Sequence, residues 1–561
     1  RGKKISLYEV KAKSYRGTDS NGMTSKSGLP NSGWKPYVYD VAFQKYIIKN
    51  AFPQFNVKAY LTLADKDAVC SVDGLNQKFF IDVVDGRKSV RVSGDVSLDA
   101  LGVPLLADVD VDEMTKLIYD SIQETDVKQL PNGRSMSFAE MVQLFSENYK
   151  NDKELITLPT SGCLGCQYRD NENVDKSGFH RCWTREFKLT PEDFEKKSAF
   201  DLWGGSLGSR SLKKEFIDKK KFFMRDLEED DVAPKKIPEV IYGMSAHDRR
   251  LHQIEFAKTG SKEAFVSKED LKIEIDSWTY PLHFIDFETT ALAIPMHKGI
   301  RPYEGIAFQF SHHTVDKDGT VKHAGEWINT DRGVYPNFQF VRELKAQLEN
   351  DEGTIFRYHN HENTYLNMIH RQLKESGELD KEVLMSFIQT ITKPTGDSVN
   401  PWTPGERNMV DLYQLVTSYY IHPMMKGSNS IKKVLPAVLN DSVFLKEKYG
   451  QPIYGGEIES KNFLNQVWVK LDEKGNAEDP YKLLAPVFED LTVDQIETLV
   501  TSENSGMNDG GAAMMAYARM QFSEMTDFER ESYKNALLRY CELDTLAMVM
   551  IYEHWKTIVD D

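Results

Sequence analysis

From Lys4 to Lys11 apolar and polar residues alternate with a period of two, so Ile5, Leu7, Glu9 and Lys11 share one face of a predicted strand. A polar stretch rich in Ser and Gly follows (14–33), and Tyr37–Ile48 then switches to helical periodicity, with Gln44 inside it. Short strands are expected at Lys58–Leu63, Lys78–Val83 and Ser89–Val92, and a helix at Val111–Ile122. Residues 184–275 are charged and helical in pattern, with Glu228–Asp231 and Ala233–Lys236 reading as a hinge. Pro281–Thr290 is different. Its Leu282, Phe284, Ile285 and Phe287 are apolar on both faces, as in a central strand covered on both sides. Ile306–Phe310 predicts an antiparallel partner, Phe338–Leu348 a helix, Thr354–His359 a strand, Asn360 to Lys374 a helix, and Phe528–Val559 a long last helix. Strands alternating with helices predict an α/β chain.

That apolar run carries two carboxylates, Asp286 and Glu288, at i and i+2, so both project from one side of the strand. Two acids on a buried face repel unless a cation lies between them, and hard oxygen ligands suit Mg²⁺ or Mn²⁺. A middle acid, Glu362, falls at a helix N-terminus beside a strand end, with Asp411 in Met409–Leu412 as its rival. Tyr540 and Asp544 are four apart on the last helix and stack on one face. Lys426–Lys433 and Gly510–Tyr517 offer small residues ahead of helices, suited to a substrate channel or to simple turns.

The 561 residues imply several domains. No apolar run approaches the ~20 residues that cross a bilayer, and no signal-like segment is seen. Five cysteines are too few for a disulfide framework in this length, which points to a reducing cytoplasm and a metal site. The net charge of -16 argues against passive electrostatic binding of nucleic acid, while leaving room for an enzyme with a local basic groove such as Lys213–Lys221 or Ile431–Lys433. Cys163 and Cys166 form a C-x2-C, with Cys182 beyond it; Cys70 and Cys541 read as ordinary buried cysteines.

Taken in order, Asp286-x-Glu288, Glu362 and Tyr540-x3-Asp544 resemble the motifs of DnaQ-like DEDD exonucleases in their tyrosine version. The resemblance implies an RNase H-like domain, two divalent ions held by Asp286, Glu288, Glu362 and Asp544 with Asp286 bridging, Tyr540 positioning the water, and 3′ to 5′ polarity. Glu362 stands where that family usually has Asp. Glu9-x-Lys11 followed by Gln44 resembles the RecB-type PD-(D/E)XK nucleases, which makes Glu9 a metal ligand and Lys11 the catalytic lysine. Cys163, Cys166 and Cys182 resemble the later cysteines of the iron-sulfur nucleases of the AddB and CRISPR-associated kind, implying a [4Fe-4S] cluster; zinc completed by His180 is the alternative. The chain begins at Arg1 inside a strand-like pattern, so an upstream Asp and a first Cys are expected before it.

The whole resembles an uncharacterised bacterial family joining these two nucleases, with 1–183 as the RecB-like domain, 184–275 as a helical linker and 276–561 as the DnaQ-like domain. It implies a cytoplasmic hydrolase of nucleic acid, DNA ends or single strands in the first place, with roles in repair or phage defence. An inert nucleic-acid-binding or scaffold protein awaiting a partner is the other reading.

Overall fold

The computed structural model describes residues 3–17, 22–84, 87–124, 135–208, 210–236, 239–396, 401–488 and 510–561. Part of the polar loop read at 14–33, positions 18–21, lies outside them. The chain is mixed α/β and divides into two compact units. The first comprises residues 1–79, 90–195 and 291–304, the second 80–89, 196–290 and 305–561.

In the first unit, β1 (Lys4–Tyr15) pairs in parallel with β2 (Asn56–Asp65) across α1 (Lys35–Ala51), and β3 (Leu106–Asp110) runs antiparallel to β2. The expected helix at Val111–Ile122 is shorter, α2 (Asp112–Asp120), because Ser121 turns extended and Ile122 starts a strand. α1 buries Val38, Val41 and Ala42 against Ala59, Leu61 and Leu63 of β2 and Phe138, the first residue of α3 (Phe138–Lys150). The Lys45 ammonium is buried with them, tied to Asp112 at 2.5 Å and to Thr115 at 2.9 Å. After α3, the chain carries its three spaced cysteines into α4 (Gly178–Phe187).

The second unit begins with charged segments that include α5 (Ala246–Thr259), and it is built on a five-stranded sheet. β4 (Leu282–Thr290), β5 (Ile306–Val315) and β6 (Val321–Ile328) are antiparallel neighbours. On the other side of β4, β7 (Ile355–Arg357) and β8 (Val410–Asp411) run parallel, so the order is β6-β5-β4-β7-β8. One face is covered by α6 (Asn337–Leu348), α7 (His361–Glu375) and α8 (Lys381–Ile391), whose apolar stripes meet Ile285, Phe287, Ala307 and Phe310. β8 leads into α9 (Leu412–Tyr419), and α10 (Ile431–Asp441) and α11 (Gly510–Phe522) follow. The 34-residue α12 (Asp527–Asp560) lies on the other face, with Gln309 Nε2 donating to Leu537 O at 2.8 Å and Ser311 hydrogen-bonded to Thr545 at 2.8 Å.

Residues 228–236, read as a hinge, are centred on Asp231, which is buried and accepts from Lys219, Lys221 and the Glu228 amide. Lys214, Lys219 and Lys221 of the 213–221 run are engaged by Asp218 and Asp231. Among the described residues no helix is long and apolar enough to cross a membrane.

Candidate active site

Strand alternation sets the first two ligands. Ile285 and Phe287 enter the core under α6 to α8, so Asp286 and Glu288 turn to the α12 side, opposite Ser311 and Gln309 in the ladder. α12 brings Asp544 to them. Ligand oxygens of Asp286, Glu288 and Asp544 lie within 4.8 Å of one another. Glu362, one residue into α7, falls outside that limit, but its charge acts on Asp286 and Glu288. It is 1 % exposed and its Oε2 has no hydrogen-bond partner.

Burial raises the pKa of every member of this group. Desolvation is the first cause for Asp286 and Glu288, with repulsion from Asp544 next, and both carboxyls are held well above the usual range. Desolvation pushes Glu362 to about 8 and Asp544 to about 6. Asp286, Glu288 and Asp544, with Glu362 near them and one of its oxygens unbonded, form an oxygen-donor group that could hold a metal ion.

Two phenols flank Asp544. Tyr540, one turn earlier on α12, lies on the same side of the helix, as its spacing implied, and helps to hold the Asp544 pKa down against burial. Tyr481, in a single helical turn at Pro480–Leu483, donates to Asp544 Oδ1 and has no counterpart in the sequence reading. Burial and the acids keep both phenols protonated. Lys432 of α10 sets its ammonium 4.8 Å from the Tyr481 ring centre and 5.1 Å from that of Tyr540, and its charge favours the ionised forms of Glu288 and Asp544. Cys541 is buried, as expected, but against the site: its Sγ lies 3.6 Å from Asp286 O.

Asp411 is occupied elsewhere. It pairs with buried Arg357 at 3.0 Å and accepts from the amides of His359 and Tyr413, capping α9. Beside these elements a cavity of about 430 Å³ is lined by Trp203, Tyr358, His359, Tyr413 and the Gly427–Ile431 segment. Gly427 is required there, since its φ is +74° and a Cβ would lie 1.8 Å from Asp201 O. Gly510 is not, because a Cβ would meet nothing within 4 Å.

In the first unit Glu9 and Lys11 do share a face, and their ion pair is 2.7 Å long. Lys11 also binds Asp40 at 2.6 Å, and Gln44 Nε2 reaches Glu9 at 2.7 Å and Asp40 at 3.2 Å. An ammonium thus sits between the two carboxylates. Cys163, Cys166 and Cys182 are all half-buried. Cys163 Sγ accepts from the Thr160 amide, while Arg185 Nη2 lies 4.0 Å from Cys182 Sγ. His180 is buried against Phe194 with Nδ1 on Ser177 Oγ at 2.7 Å. Among the described residues, the groups of three or more His, Cys, Asp or Glu whose ligand atoms fall within 4.8 Å do not include these cysteines. A cluster bridged by sulfides holds its thiolates farther apart than a single ion does.

Residues 283–430 match a domain of unknown function (DUF2779). No curated protein and no solved structure matches the chain. The matched segment runs from β4 through the Ser430 cap of α10, so it holds Asp286, Glu288 and Glu362, whereas Tyr481, Tyr540 and Asp544 lie beyond it.

Proposed function

We propose that the second unit is a metal-dependent nuclease of the DnaQ-like, RNase H-like kind, hydrolysing phosphodiester bonds from a 3′ end, with DNA ends or single strands as substrate. The convergence of Asp286, Glu288 and Asp544 within 4.8 Å, with Glu362 beside them, carries this reading. The order β6-β5-β4-β7-β8, antiparallel up to β4 and parallel after it, supports the fold assignment.

Asp286, Glu288, Glu362 and Asp544 would hold a pair of Mg²⁺ or Mn²⁺ ions. When bound, such a pair supplies the charge that activates water and steadies the leaving alkoxide. The phenols of Tyr481 and Tyr540 keep their protons, so they donate hydrogen bonds and orient what binds at Asp544; they do not act as bases. Lys432 brings positive charge toward a polyanion that the chain's own net charge of -16 repels. The rings of Trp203, Tyr358 and Tyr413 offer faces on which bases stack.

For the first unit we propose the RecB-like PD-(D/E)XK assignment, with Glu9 and Lys11 as its motif and Gln44 supporting it from α1. The three cysteines are assigned to a [4Fe-4S] cluster, with zinc as the alternative. Because Glu9 and Asp40 are both spent on Lys11, we assign hydrolysis to the second unit. Repair of DNA or defence against phage would employ such a protein.

The test is degradation of 3′-labelled single-stranded DNA in Mn²⁺. Asp286→Ala is expected to lose at least about a hundredfold in rate. Equal degradation by variant and wild type removes the assignment.

A further inference from the structure

A second group of ligand-type side chains lies on the same sheet face, farther from β4, and the proposed hydrolysis has no use for it. Ligand atoms of His323, Glu326 and Glu542 lie within 4.8 Å of one another. Residues three apart on a strand point to opposite faces, so His323 and Glu326 should not meet. A β-bulge makes them meet: His313 pairs with His323 and His312 with Gly325, leaving Ala324 unpaired. His323 therefore falls opposite His313 and Glu326 opposite Ser311, on the side covered by α12, where Glu542 comes down onto them. Bulges of this kind re-aim side chains.

His323 is fully buried, and Ser311 Oγ holds its Nε2 at 3.1 Å. Its Nδ1 lies 3.1 Å from Glu542 Oε2, an ion-pair contact that lowers the Glu542 pKa although the approach is poorly aligned for a hydrogen bond. Buried Glu542 has its Oε1 satisfied by Tyr454 and Ser460. Its Oε2 and the Oε2 of Glu326 both converge on the Asn462 amide, at 2.8 and 2.6 Å. An imidazole nitrogen at ion-pair distance from Glu542, outside hydrogen-bond alignment, thus faces two carboxylates gathered at one point.

We infer that His323, Glu326 and Glu542 form a second divalent-cation site, for a transition-metal ion held by one imidazole and two carboxylates. Neighbouring ligand atoms on one ion sit about 2.9–3.3 Å apart when bonds are ~2.0–2.1 Å, and the 3.1 Å between Nδ1 and Oε2 is such an edge. Ser311 on the other ring nitrogen is the kind of outer partner that orients a ligating histidine. A half-turn of the Asn462 amide offers its Oδ1 as a further oxygen ligand. Glu326 and Asn462 are only half-buried or hydrogen-bonded at the rim, which leaves the cation a way in.

Mn²⁺ is the probe, because as a hard ion it avoids the cysteine thiolates. The full chain carrying Asp286→Asn and Asp544→Asn, with the four-acid group disabled, is titrated with Mn²⁺, and the bound ion is read by pulsed electron paramagnetic resonance. A single bound Mn²⁺ with nitrogen modulation from an imidazole is expected, and adding Glu326→Gln should weaken binding by about a hundredfold. Absence of bound Mn²⁺ in the double variant overturns the inference, and so does a signal without nitrogen modulation or affinity unchanged by Glu326→Gln. Should Glu326→Gln fail to fold, the nitrogen modulation of the double variant decides alone. Loss of nuclease activity in Asp286→Ala bears only on the four-acid group, so the two readings fail separately.

Discussion

Asp544 is held by two phenols that reached it by different routes. Tyr540 is in helical step with it, so a four-residue spacing in the sequence sufficed to pair them. Tyr481 arrives from a turn initiated by Asp479 and Pro480, and Lys432 from the first turn of α10; neither stands in any period with the acids, and only the tertiary path shows them. Asp286 and Glu288 were legible because alternation dictates their common side, and Glu362 from its place at a helix N-terminus, whereas the Arg357 pairing that occupies Asp411 is revealed by no spacing. Tyr481→Phe keeps the ring and removes the donor to Asp544, so it is expected to slow hydrolysis by about a hundredfold with little change in melting temperature. The buried acids also oppose folding when no cation is bound. Asp286→Asn should therefore raise the melting temperature in EDTA and reduce the rise that Mn²⁺ gives the wild type, one site at a hundred times Kd contributing about 2.7 kcal/mol. A calorimetric scan with and without Mn²⁺ checks both signs.

β4 was read from its unbroken apolar run and α12 from its periodicity, and both are present within two residues of the expected bounds. β6 escaped, because Lys322, Ala324 and Gly325 interrupt its alternation and the bulge at Ala324 resets the phase. β3 escaped as well: only Leu106, Ala107 and Val109 in it are apolar, too short a signal for a strand. Close approach between elements is likewise invisible in a pattern. Where the chain enters β7, a Cβ on Gly353 would lie 2.0 Å from Pro281 O and 2.7 Å from His283 Nε2, and the adjoining Thr354 is bonded to both Thr279 and His283. A backbone carbonyl fixed by such bonds cannot give way. Gly353→Ala is expected to cost about 1–3 kcal/mol, read as a lower urea midpoint with unchanged slope.

At the scale of the molecule, the α/β class was legible from alternating element types, but the extent of each unit was not. Residues 80–89 belong with the second unit and 291–304 with the first, and a reading along the chain sees only contiguous segments. Stability should follow pH through histidines buried in the second unit. Desolvation lowers His312, between His283 and Gln347, to about 3, and lowers His554, near Asp441 and His422, to about 4. An unfolded histidine titrates near ~6.5, so the unfolded chain takes up protons first. Their contribution is complete above about pH 6.5 and is lost as pH falls toward 4, at about 1.4 kcal/mol for each pKa unit of difference. Because the raised acids of the site gain stability over the same range, the histidine part is read as a difference: His554→Gln should lose less stability than the wild type as pH falls from about 6.5 to about 4, in melting temperatures measured side by side. For the cysteines, protein purified without oxygen is expected to be brown from thiolate-to-iron charge transfer; a colourless protein holding zinc selects the alternative.

One thread of the architecture bears on synthesis. Asp286 enters the world long before Asp544, and the rod bearing Asp544 is also the roof over Asp286 and Glu288. A growing polypeptide therefore carries its early acids unroofed and apart from their partner until translation has passed that rod. The four-acid group is thus completed among the last features of the second unit, and under the proposed function a nascent chain would lack its full set of ligands.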